Sequence, residues 1–260
     1  MLPLTAQDID ALTPLQPPEW SSDIRLVFRT HIAHDYFEAV KIEWDGQIVA
    51  VGELIYLATS VWIGNVIVHP AYRRRGLGKQ IMQTLIQKAG TRPQYLLATP
   101  KGLPLYEKLG FQTIGRYLFF EANFTEQSTE KIRLIQPAER QIVLEMDRQA
   151  SGDERQVILL NHLEGCLVYV DDNEVRGFYI PSLGEGLVVA KTWEAGLSLL
   201  GKRNADGKPY VVVPEANLPL VEYLRAKSGE PFRMATFMLI GAPVVRQPKM
   251  VFSRIGGYIG

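Results

Sequence analysis

The chain has 260 residues, room for two domains of ordinary size, and its 47% hydrophobic and 22% charged residues are globular values. Lysine plus arginine and aspartate plus glutamate number 28 each, so the formal charge is zero and nothing argues for nucleic acid or an anionic membrane surface as partner. Cys166 is the one cysteine, which excludes an internal disulfide, and four histidines are too sparse to suggest a metal site by spacing.

The first residues lack a basic segment with a long apolar core, and no apolar run reaches transmembrane length, so a cytoplasmic protein is expected. Residues 47–56 pattern as a strand, with Glu53 between Val51 and Leu54; the alternation leaves its face open, and a surface position is the alternative. Residues 65–68 form a short apolar strand ending at His69-Pro70, where His69 reads as a turn residue. Then comes Arg73-Arg74-Arg75-Gly76-Leu77-Gly78-Lys79, followed by Ile81, Met82, Leu85, Ile86 and Ala89 at helical spacing. Glycines at 76 and 78 are expected to allow positive φ and close ligand approach. The unpaired amides of a helix start, its dipole and the cations at 73, 74, 75 and 79 suit a pyrophosphate.

Two familiar phosphate motifs fail here. A Walker loop needs glycine where Arg73 stands and serine or threonine where Gln80 stands. The dinucleotide fingerprint needs a small residue where Ile81 stands. A plain strand-turn-helix with a solvated basic patch remains the bland alternative. The segment instead resembles the acyl-coenzyme A loop of the GNAT superfamily of N-acetyltransferases, Arg/Gln-x-x-Gly-x-Gly/Ala, with Arg73, Gly76 and Gly78 in place and Val68-x-Pro70-x-Tyr72 leading in. A second match follows the strand at 95–99: Leu105-Tyr106-Glu107-Lys108-Leu109-Gly110-Phe111 resembles the family's Leu-Tyr-x-x-x-Gly-Phe on its last helix.

The resemblance implies acetyl-coenzyme A as co-substrate, with Val66, Ile67, Val68, Arg73, Arg74, Arg75, Gly76, Leu77, Gly78, Lys79 and Thr99 around it. Many relatives carry asparagine where Thr99 stands. Tyr106 would be the general acid for the departing thiolate, and an amide near Val68 would bond the thioester oxygen. The acceptor is most often a primary amine. At neutral pH only about one part in 10³ of an alkylamine is nucleophilic, so freeing it is worth roughly 4–5 kcal/mol. Some relatives place a glutamate four residues before the valine matching Val68; this chain has Gly64 there, and Glu53 is the candidate base. Glu19, Trp20, His31, His34 and Asp35 fall where the family shapes the acceptor pocket, with ordinary loop or helix roles as the alternative.

Residues 113–122 read as one long strand where the family usually has a hairpin, and polar residues 121–130 as a domain boundary. The second half then repeats the order of the first. It runs from a strand and helix within 132–149 through a hairpin about Asp171-Asp172-Asn173 and the strand 187–190. A helix near 192–200, the strand 210–213, another helix, and strands near 232–240 and 250–255 complete it. Cys166, among apolar neighbours, reads as a buried strand thiol. Residues 218–224 echo 103–109, but Val221 falls opposite Tyr106, and 191–196 holds no Gly-x-Gly and no arginine.

The expected fold is therefore α/β (α+β): two GNAT-like domains, each a mixed, mostly antiparallel twisted sheet flanked by helices. The first (1–125) would be catalytic and the second (130–260) degenerate, walling the acceptor pocket or holding the open sheet edge of the first. The expected activity is acetyl transfer to a primary amine of a small molecule, without metal, nucleic acid or membrane. Sequence leaves the acceptor and oligomeric state open. A non-catalytic acyl-coenzyme A sensor, and transfer to a hydroxyl or of a longer acyl group, are the alternatives.

Overall fold

The computed structural model describes residues 1–18, 20, 23–121, 124 and 130–260. Glu19, Ala122 and most of the 121–130 boundary lie outside the described residues. Strand β1 (Leu2–Pro3) and a 3-10 helix (Ala6–Leu15) lead into α1 (Ile24–His31). Then follow β2 (Phe37–Trp44), β3 (Gln47–Tyr56), β4 (Val61–Val68), α2 (Leu77–Ala89), β5 (Gln94–Ala98), α3 (Leu103–Lys108) and β6 (Gln112–Glu121). The second half supplies β7 (Ile132–Leu134), α4 (Arg140–Ser151), α5 (Gln156–Leu159), β8 (Leu167–Asp171), β9 (Glu174–Ile180) and β10 (Leu187–Ala190). It ends with α6 (Trp193–Ala205), β11 (Tyr210–Pro214), α7 (Leu218–Ser228), β12 (Arg233–Ile240) and β13 (Val251–Ser253).

Both halves open on hairpins whose two-residue turns have positive φ at each residue, Asp45 (50°) with Gly46 (75°) and Asp172 (49°) with Asn173 (62°). That conformation matches the twist of the flanking strands and favours these residue types. The larger sheet runs β1-β2-β3-β4-β5-β12-β6-β11, and the smaller β13-β10-β9-β8-β7. The second half thus lends β11 and β12 to the larger sheet. Strand β12 lies antiparallel between β5 and β6, facing Gln94–Ala98 on one side, while β6 takes β11 on its far edge. The open edge that a single long strand would leave beside β5 is covered, as edges in stable sheets are.

Alternation along β3 sends Leu54 toward α2, where it packs with Ile81, Met82 and Leu85. Val51 and Ile55 face the other way, into a cluster shared with Phe28 of α1, Trp62, Tyr95 and Phe237 and reaching Met146, Ile158 and Ile259 of the second half. A third cluster joins Leu118 and Phe120 of β6 to α6 and α7. Cys166 is buried just ahead of β8, and burial pushes its thiol up to about 12. Among the described residues no helix is long and apolar enough to cross a membrane.

Candidate active site

Strands β4 and β5 are parallel and hydrogen-bonded only at their starts, Val61 beside Gln94 and Trp62 beside Tyr95. Beyond that they part: β4 stays with β3 to Val68, while β5 follows β12. The result is a gap through the sheet, bordered by the backbone of Val66, Ile67 and Val68. A one-residue bulge accompanies it, for Asn65 has φ 45° and the β3–β4 register shifts between Val51 and Glu53. The bulge was not read from sequence, although asparagine is the side chain that best tolerates this conformation apart from glycine.

At the mouth of the gap stands the basic turn. Gly76 caps α2 in the left-handed region (φ 80°, ψ 0°) without any side-chain bond to the helix start. The second left-handed residue is Arg74 (φ 63°), not Gly78 as expected, since Gly78 is already helical. Two left-handed residues alternating along a turn curl its amides into an anion-sized concavity. Gly78 contributes open space: a Cβ there would meet only ordinary contacts at 3.6 Å, from Leu105 and Val68. Arg73 bonds Val68 O through Nε at 3.1 Å, closing the turn onto the strand. Arg75 lies over the rings of Trp44 and Tyr72 at 5.5 and 5.3 Å. Leu77 anchors the helix start in the core, and Arg74 and Lys79 are exposed. His69 is the turn residue expected, its Nδ1 accepting from the amide of Ala71 at 3.2 Å.

On the α2 side of the sheet, α3 carries Tyr106. Its ring packs edge-on to Phe111 and against Gly102, and burial pushes its hydroxyl up to about 12, so it holds its proton throughout the physiological range. Thr99 lies just past β5, and its carbonyl accepts the amides of Gly102 and Leu103 that begin α3.

Glu53 is on the opposite side and fully buried, which removes the surface alternative. It pairs directly across the sheet with Gly64. A Cβ at 64 would come within 2.8 Å of its Oε1, so the Glu53 carboxyl lies in the space a side chain there would fill. Asn65 Nδ2 donates to its Oε1 at 2.8 Å, while Oε2 is buried without a partner among the described residues. Burial raises its pKa from 4.5 to about 8, against the smaller lowering effect of Asn65. Tyr106 and Glu53 thus lie on opposite sides of the sheet.

Of the pocket candidates, His31 is buried, with Nδ1 3.1 Å from the Tyr36 hydroxyl. His34 stacks on Tyr36 at 4.9 Å. Asp35 is exposed and Trp20 half-buried against the shared core. Sequence reading missed Tyr36 and Tyr258; neither lies in a motif, and Tyr258 arrives from the far end of the chain.

In the second half the corresponding gap is filled. Strand β13 pairs with β10, and Arg254, following it, donates its amide to Val212 O of β11 at 3.1 Å. Phe252 lies so close over Gly196 of α6 that a Cβ there would come within 2.1 Å of the ring. The start of α6 is capped by its own Thr192 hydroxyl, which accepts from Ala195 N, and bears the acidic Glu194. An anion would meet a helix start already capped at one amide and a like charge to oppose it.

The sequence pattern described as the acetyltransferase (GNAT) domain matches residues 35–113. The uncharacterized N-acetyltransferase YitH of Bacillus subtilis is 34% identical over 88 residues, which span about a third of each chain (34% of this one, 31% of the relative). Among solved structures, one from Pyrococcus horikoshii, provisionally assigned as an acetyltransferase, superposes with a TM-score of 0.84 at 19% identity, covering 99% of this chain and 94% of that one. A tandem GNAT protein from the clavulanic acid biosynthesis pathway gives 0.64 at 15%, covering 93% and 98%. Residues 35–113, which hold the gap and the basic turn, thus carry the pattern of the GNAT acetyltransferase domain, and the fold is matched end to end by these structures.

Proposed function

We propose that the first half transfers an acetyl group from acetyl-coenzyme A to a primary amine by direct attack, and that the second half has no transfer site of its own. The observation that carries the reading is the parting of β4 from β5, with an uncapped, left-handed basic turn at its mouth and Glu53 buried opposite Gly64. The residues suit such a co-substrate. The amides at 76–79 with Arg74 and Lys79 would hold the pyrophosphate, and the backbone of 66–68 the pantetheine arm. Acetyl-coenzyme A supplies the acetyl group already activated as a thioester.

Glu53 would take a proton from the incoming ammonium. Its raised pKa brings carboxyl and amine closer in basicity, and burial favours the neutral pair over two buried charges, offsetting the cost of freeing the nitrogen. Tyr106 would give its hydroxyl proton to the sulfur as the C–S bond breaks, and regain one from solvent as the product amide loses its second proton. Glu53 as base answers one motive for a sensor reading, the missing residue at Gly64; the other, the motifs lost from half the chain, concerns the second half alone. Titration calorimetry with acetyl-coenzyme A and thiol release with a panel of small primary amines test the proposal together. Binding with amine-dependent thiol release is expected; binding without release from any amine refutes transfer.

A further inference from the structure

What covers Glu53 comes from the second half. A Cβ on Gly64 would lie 2.7 Å from Cβ and 3.0 Å from Cα of Tyr258, and 2.8 Å from Oε1 of Glu53, so Tyr258 lies across the Glu53–Gly64 pair. Its ring centroid is 5.6 Å from that of His31. Two buried atoms beside it lack partners among the described residues, Oε2 of Glu53 and Nε2 of His31. Burial holds the His31 pKa down to about 4, so the ring is neutral, and with the Nδ1 proton assigned to the Tyr36 oxygen its Nε2 is a free acceptor. An ammonium, with three donors and a positive charge, is the group that suits a Glu53 carboxylate and a neutral His31 nitrogen alike.

The segment continues to Gly260, packed against the Trp62 ring and lining a cavity of about 610 Å³ floored by Trp62, Tyr95 and Phe237. Tyr258 thus lies against the seat formed by Glu53 and His31, two residues before Gly260, which lines this larger space. Resting on the transfer reading above, we propose that Tyr258 is the residue through which the second half sets the acceptor of the first. It narrows the seat to an unbranched CH₂–NH₃⁺ end, so the acceptor is an unhindered primary amine and amines branched beside the nitrogen are turned away.

The test compares propylamine with isopropylamine by thiol release from acetyl-coenzyme A, using the full chain. A wild-type preference for propylamine of roughly tenfold or more in kcat/KM is expected, the scale on which a pocket resolves one carbon. Tyr258→Ala should bring the ratio toward one by raising the rate with isopropylamine, with acetyl-coenzyme A affinity unchanged as proof of an intact fold. Tyr258→Leu, which keeps an apolar filler should the alanine variant not fold, should give an intermediate ratio. A wild type that turns over both amines alike, or a variant that slows both by one factor, overturns the proposal and leaves transfer standing. A wild type that frees no thiol with any amine removes the transfer reading and this one with it.

Discussion

Replacing Glu53 by glutamine separates what the carboxyl does for stability from what it does for chemistry. The exchange is nearly isosteric: the glutamine oxygen keeps the Asn65 bond, and its NH₂ takes the place of the partnerless Oε2. In the folded chain Glu53 keeps its proton up to about pH 8, against an ordinary value of 4.5. The folded state thus binds more protons than the unfolded state between those limits. The contribution is fully present below pH 4.5, declines as pH rises, and is gone above about 8. A shift of this size corresponds to on the order of 5 kcal/mol. Glutamine does not titrate, so urea unfolding of the two proteins should show a stability difference that moves in favour of Glu53→Gln by several kcal/mol between pH 4.5 and 8.5. Background titrations cancel in the difference. Over the same range turnover by the wild type should rise with pH as the carboxylate forms, while the variant loses about 10²–10⁴-fold in rate, the usual worth of a positioned base. A pH-independent stability difference would show that Glu53 is not desolvated as described. Undiminished turnover by the variant would remove it as the base.

Other outcomes follow from the same geometry. Tyr106→Phe should lower turnover by at least about tenfold with acetyl-coenzyme A affinity unchanged, read by steady-state kinetics and calorimetry, because only the proton donor is lost. Gly76→Val forces a β-branched residue into the left-handed region and should abolish measurable acetyl-coenzyme A binding while costing about 1–2 kcal/mol or more in urea unfolding. Calorimetry should give one acetyl-coenzyme A per chain, since β13 and Phe252 fill the second gap; a stoichiometry of two would refute that assignment. Residues 1–127 alone lack β12 and should aggregate or be inactive in thiol release, whereas a soluble, fully active fragment would show that β5 needs no cover.

The parts legible in sequence are those written in consecutive residues. The turn at 73–79 and the tyrosine at 106 stand in local motifs, and strands such as 47–56 declare themselves by alternation. What stayed hidden depends on pairing between distant segments. Nothing in Arg233–Ile240 distinguishes a strand that pairs at home from one that enters the sheet of the other half. Glu53 looked ambiguous because its burial is conferred by Gly64 across the sheet and by Tyr258 from the last turn of chain. Arg74 was read as a charge alone, yet it also supplies a left-handed backbone step expected of Gly78.

The lending of strands has a consequence for biogenesis. The larger sheet is finished only by strands of the second half, so it cannot close as the ribosome releases the first. Strand β5 must wait for β12, well over a hundred residues later, which at 5–20 residues per second is roughly seven to twenty-seven seconds of nascent life with an unsatisfied flank. Completion of the larger sheet is then a single late event, reached only after Ile240 has been made.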